Sequence, residues 1–141
     1  MGGFVARQYA DVWHSRCLRK DWLTRVDGIE IFQPYIQPYH AGIYDDIKIG
    51  NALDVLPTLG NYDLVICVDV LEHLERAHGE QLLNQIAEHS DAFLVSTPVH
   101  FFAQGAVYGN EAETHRELWT PEQLQRWGTV SQNGILLMVE R

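Results

Sequence analysis

The chain has 141 residues, enough for one hydrophobic core and too few for two ordinary domains, so a single domain over residues 1–141 is expected. Its 46% apolar content, with four Trp, six Tyr and five Phe, excludes a disordered chain, and no apolar run approaches the roughly 18 residues of a membrane span. A net charge of −9 repels a phosphate backbone, which argues against nucleic acid as a partner.

Met1 to Asp11 has no apolar core region and Arg7 interrupts it, unlike a secretory leader. Cys17 and Cys67 make no disulfide framework, so a reducing, cytoplasmic setting is expected. Gly2 and Gly3 precede Val5, Tyr9 and Val12-Trp13, which are spaced like the apolar stripe of a helix from about Phe4 to His14. His14 to Trp22 is polar and basic and reads as a connection, with Trp22-Leu23 covering a sheet. Arg25 to Phe32 reads as a short strand carrying Glu30 near its carboxyl end. Pro34 and Pro38 limit the following stretch to a turn or two of helix. Tyr44 to Ile49 alternates Ile47 and Ile49 with polar residues, the pattern of an edge strand, and Gly50-Asn51-Ala52-Leu53 follows.

Leu64-Val65-Ile66-Cys67-Val68 is five apolar residues without alternation, which predicts a strand buried on both faces of a parallel sheet. Asp69 stands at its carboxyl end, where open α/β sheets bind ligands. Leu82, Leu83, Ile86 and Ala87 form a helical stripe, and Ala92 to Ser96 is a second buried strand, completing a βαβ unit. From Pro98 to Trp119 a long loop carries Phe101, Phe102, Tyr108, Asn110, Glu111, Glu113, His115 and Trp119, and a loop of that length implies function or mobility. Thr120-Pro121-Glu122-Gln123 is a capping box that opens a helix. Thr129 to Ser131 and Ile135 to Val139 flank Asn133-Gly134 as an antiparallel hairpin.

The segment Asp69-Val70-Leu71-Glu72-His73-Leu74 resembles the fourth-strand motif of class I S-adenosylmethionine-dependent methyltransferases, in the branch reading D-V-(I/L)-E-H-(L/I). Gly28-Ile29-Glu30-Ile31, Gly50-Asn51-Ala52-Leu53 and the Asn110 to Thr120 stretch resemble that family's second-strand, adenine and acceptor-side motifs. The resemblance implies a Rossmann-like α/β sheet with helices on both faces, of strand order 3-2-1-4-5-7-6, ending in an antiparallel hairpin. Strand 1 and most of the glycine loop are missing from this pattern, as in an amino-terminally truncated relative.

What the resemblance implies about the site is specific. S-adenosylmethionine would be the cofactor, with Gly2 and Gly3 at its methionine part, Glu30 on the ribose, Asn51 and Ala52 at adenine and Asp69 beside the donor. Asn51 stands where the family usually has an acid. Glu72, His73 and His115 are the candidate bases if a small or peptide-borne O or N acceptor must lose a proton. No metal is expected, because His73 and His78 are five apart and H-E-x-x-H is absent. The alternative is a catalytically inactive module that binds a partner or pairs with a second copy through the strand edges left open by the missing strand.

Overall fold

The structure, a computed structural model, describes residues 2–141, and the chain divides into two compact units, Met1–Val55 and Leu56–Arg141. Each is built on its own sheet. Among the described residues no helix is long and apolar enough to cross a membrane.

In the first unit, helix α1 (Gly2–Ala10) is followed by short turns of 3-10 helix at Val12–His14 and Arg19–Asp21. Strands β1 (Asp27–Glu30) and β2 (Asp46–Ile49) pair in parallel, Asp27 opposite Asp46 and Glu30 opposite Ile49. The proline-rich connector between them holds only 3-10 turns, at Gln33–Tyr35 and Pro38–Gly42, as its prolines require. Helix α2 (Ala52–Val55) ends the unit.

The apolar spacing of α1 correctly marks a helix but misidentifies its buried face. Phe4, Val5, Tyr9 and Trp13 are exposed, whereas Arg7 and Asp11 are buried. Asp11, fully enclosed, accepts from Arg7 at 2.6 Å, from Arg16 at 2.7 Å and from the Leu23 amide at 2.9 Å. Arg7 also reaches Asp45 at 2.7 Å and the carbonyls of Thr24 and Ile43, and its guanidinium lies 3.7 Å from the centre of the Trp22 ring. One charged pair at i, i+4 therefore ties the helix to the segments entering both strands. Leu23, expected over the sheet, is 80% exposed because its backbone, not its side chain, is what Asp11 holds.

The second unit carries the apolar core. Strands β3 (Tyr62–Val68), β4 (Ser90–Pro98), β5 (Thr129–Asn133) and β6 (Leu136–Glu140) form a sheet of order β3-β4-β6-β5. β3 and β4 are parallel, with Val68 opposite Ser96, and the other pairs are antiparallel. The expected hairpin is present, with Gly134 at φ 60 supplying the left-handed residue of its turn. Helix α3 (Arg76–Glu88) packs on β4 and buries Leu82, Leu83 and Ile86, the predicted stripe. The capping box of α4 (Pro121–Leu124) is formed, the Gln123 side chain accepting from the Thr120 amide at 2.9 Å.

Phe93 and Val95 of β4 are buried, as read from the sequence, but β3 departs from its expectation. It is an edge strand rather than a strand buried on both faces, and Leu64 is half exposed. An unbroken apolar run reports hydrophobicity and not position in the sheet, so an edge strand can carry one.

Two outcomes follow for stability. Burial alone raises the pKa of Asp11, but the Leu23 amide and the Arg16 and Arg7 guanidiniums more than reverse this and hold the carboxyl well below the usual carboxylate range. Its stabilisation is complete above the unfolded-state pKa and is lost as the pH falls below about 4. Urea unfolding of Asp11→Asn should give a protein about 3 kcal/mol less stable at pH 7, with a flatter dependence than the parent in that acid range. A Cβ on Gly79 of α3 would collide with the Trp119 ring. Gly79→Ala should therefore cost about 1–3 kcal/mol in the same assay, in spite of alanine's higher helix propensity.

Candidate active site

In each unit, parallel strands deliver polar residues at their carboxyl ends. Glu30 is the last residue of β1, Gly50-Asn51 follows β2, and Asp69 follows β3.

In the first unit, Glu30 Oε1 accepts from the Phe32 amide at 2.8 Å, which orients the carboxylate and leaves Oε2 as the oxygen for a ligand hydroxyl. Asn51 Oδ1 accepts from the Leu53 amide at 3.0 Å, and the Asn51 carbonyl accepts from Asp54 and Val55. Asn51 thus starts α2 as a cap, the role its short amide suits best, and keeps one lone pair on Oδ1. Ala52 is the first residue of that helix. Gly2 and Gly3 form the first turn of α1 and not a loop before it. The Gly3 amide donates to the Tyr44 hydroxyl, and a side chain at Gly3 would strike the Tyr44 ring, so this glycine permits a close approach. Phe4, Tyr39, His40, Ile43 and Tyr44 line an open apolar recess beside it.

In the second unit, β3 is followed by Asp69, whose φ of 53 is left-handed, a conformation that aspartate tolerates better than most residues. Its amide donates to the Ser96 carbonyl at 3.2 Å and its Oδ1 accepts from Ser96 Oγ at 3.3 Å. The reversal at Asp69 leads into a 3-10 turn at Leu71–His73 in which Leu71 and Glu72 are buried. Trp119 Nε1 donates to the Leu71 carbonyl at 3.2 Å. The Glu72 carbonyl accepts from the amides of both Arg116 and Glu117, at 2.7 and 3.1 Å. These backbone bonds draw the loop after β4 onto the turn and set His115 against His73, with ring centres 4.9 Å apart.

The resulting cluster contains Glu72, His73 and His115, each offering a donor atom within 4.8 Å of the other two. Thr97 Oγ1 donates to Glu72 Oε2 at 3.2 Å. Burial pushes the Glu72 carboxyl up, and the charge of Asp69 adds to this against the pull of His73 and the Thr97 hydroxyl. Burial, with the charges of Glu72 and Asp69 behind it, also pushes the Cys67 thiol up to about 12. His115 Nδ1 lies 2.6 Å from the Phe102 carbonyl, an acceptor, so Nδ1 carries the proton and Nε2 the lone pair. His73 Nδ1 is buried without a hydrogen-bond partner among the described residues.

Of the residues singled out in the sequence, the structure thus gathers Glu72, His73 and His115, with Asp69 close enough to act on Glu72. Trp119, read from the sequence as part of the acceptor-side loop, positions that group together with Ser96 and Thr97, which sequence reasoning missed. The signal for the latter two is their place at the carboxyl end of β4, the strand paired with β3.

No family model and no curated protein matches this chain. Solved structures do. An O-methyltransferase family protein from Burkholderia thailandensis is 14% identical with a TM-score of 0.59, over 99% of this chain and 48% of that one. Magnesium protoporphyrin IX methyltransferase (ChlM) from Synechocystis PCC 6803 with bound SAH is 15% identical with a TM-score of 0.54, over 83% of this chain and 63% of that one. PigF with SAH is 16% identical with a TM-score of 0.53, over 82% of this chain and 42% of that one. The chain spans about half of the length of these proteins, and at such identities the likeness is one of fold alone. The fold of this chain is the Rossmann-like α/β fold of methyltransferases.

Proposed function

We propose that the protein transfers a methyl group from S-adenosylmethionine to an oxygen or nitrogen atom of a small or peptide-borne acceptor. The observation that carries this reading is that in each unit polar residues stand at the carboxyl ends of parallel strands, Glu30 and Asn51 at β1 and β2 and Asp69 after β3, the position at which open α/β sheets bind ligands. The fold of the solved methyltransferases supports it.

The residues present suit such a ligand. Glu30 Oε2 would accept from a ribose hydroxyl, Oδ1 of Asn51 retains a lone pair for the adenine amino group next to the Ala52 amide, and Asp69 would lie by the donor. Contact of the methionine part with Gly2 and Gly3 would compete with the Tyr44 hydroxyl for the Gly3 amide. When bound, S-adenosylmethionine supplies a methyl group already activated on a sulfonium. The chain's task is then to align the acceptor, keep water out and take up the acceptor's proton. Glu72, His73 and His115 are the groups available for that proton.

A second reading, a non-catalytic module that self-associates, draws support from the single-sided pairing of β3 and the exposure of Leu64. Calorimetry with S-adenosylmethionine or its demethylated product separates the two. Binding heat is expected, and its absence at millimolar ligand, with a dimer in sedimentation, would favour the second. Glu30→Ala should weaken binding about tenfold or more through loss of charge-assisted hydrogen bonds. Asp69→Gly should stay within about 1 kcal/mol of the parent in stability, because glycine accepts a positive φ, while reducing donor affinity. Unchanged affinity in Asp69→Gly would place Asp69 away from the donor.

A further inference from the structure

The Glu72, His73 and His115 cluster has properties that a set of proton carriers does not need. It combines one carboxylate and two imidazoles whose donor atoms lie within 4.8 Å of one another. His115 binds the Phe102 carbonyl through Nδ1, the arrangement by which metal-ligating histidines are held with Nε2 facing the ion. His73 brings a buried Nδ1 with no hydrogen-bond partner among the described residues, a cost that a bound cation would remove. The Glu72 carboxylate accepts from Thr97 Oγ1 at Oε2 and from its own backbone amide, which fixes its direction. Among the described residues neither Glu72 nor Asp69 forms an ion pair with a lysine or arginine, although Asp69 lies close enough to raise the Glu72 pKa. Two neighbouring carboxylates and no fixed cation leave the locality short of positive charge.

We propose that Glu72, His73 and His115 bind one divalent first-row transition-metal ion. Two imidazoles with one carboxylate suit zinc, cobalt, nickel or iron rather than magnesium or calcium, which prefer sets of oxygen ligands. Three protein ligands leave a position open for water or for an oxygen or nitrogen atom of an incoming molecule. The site lies wholly in the unit Leu56–Arg141, and its existence does not depend on methyl transfer. A ligating nitrogen has no lone pair left for a proton, so occupancy would remove that histidine from the candidate bases.

The test is titration of the chelator-treated full chain with cobalt(II) and zinc(II), read by calorimetry and by the visible absorption of cobalt. One equivalent is expected to bind, with imidazole-ligated cobalt bands, and millimolar magnesium should not displace it. His73→Ala, His115→Ala and the isosteric Glu72→Gln should each weaken binding tenfold or more, with circular dichroism confirming that each variant is folded. Glu72→Gln keeps the shape of the side chain and so covers the case in which an alanine variant fails to fold. His78→Ala and His100→Ala should bind as the parent does. No stoichiometric binding, displacement by magnesium, or equal affinity in folded Glu72→Gln and His115→Ala would overturn the proposal. Because the readout is metal binding without cofactor or acceptor, its failure is distinct from failure of the methyltransferase reading.

Discussion

The candidate site depends on one carbonyl oxygen. Glu72 accepts hydrogen bonds from two successive amides, Arg116 and Glu117, across more than forty residues of sequence. Neither bond involves a side chain, yet together they decide where His115 stands. The loop after β4 would otherwise be free to follow its own turns, since most of what it contains is polar or exposed. Trp119 secures the same junction from the other side, filling space against Gly79 and donating to the Leu71 carbonyl. An indole buried with its N–H satisfied combines a large apolar area with a fixed direction. The chemistry of Glu72, His73 and His115 is therefore a product of backbone hydrogen bonding and one aromatic side chain.

The two units reach their stability by different means. Unit Leu56–Arg141 buries leucine, isoleucine, valine, phenylalanine and tryptophan around β4 and α3. Unit Met1–Val55 contributes little to that set beyond Val26, and its deepest side chains are Arg7 and Asp11. A buried ion pair gives direction more dependably than it gives free energy, because desolvation consumes much of the attraction. In return, Arg7 can hold Asp11, Asp45 and two carbonyls at once, a task for which the fork of the guanidinium is suited and a lysine is not.

Where the information is local, the sequence was readable. The Asn133-Gly134 turn, the Thr120 capping box and the Leu82, Leu83, Ile86 stripe each encode their structure within a few residues, and all three form. The apolar run of β3 was read correctly as a strand and wrongly as an interior one, because edge or centre is settled by pairing partners far away in sequence. On α1 the error was of another kind. Apolar spacing marked one face, while the Arg7 and Asp11 pair, which looks like an ordinary solvated i, i+4 bridge, marked the face that is enclosed. At the site, the motif around Asp69 identified the turn, and His115 was recognisable as a loop histidine of interest. Its closeness to His73 was not, since main-chain amides leave no trace in residue identity.

Cys67 shows what enclosure beside the site does to a bystander. Burial, reinforced by Glu72 and Asp69, keeps its sulfur protonated through the neutral range, and a protonated thiol is a weak nucleophile. Cys17, by contrast, is open to solvent. Electrophilic reagents added to the native chain should therefore modify the two cysteines at very different rates, and reaction at the slower one would report that the turn around Asp69 has opened.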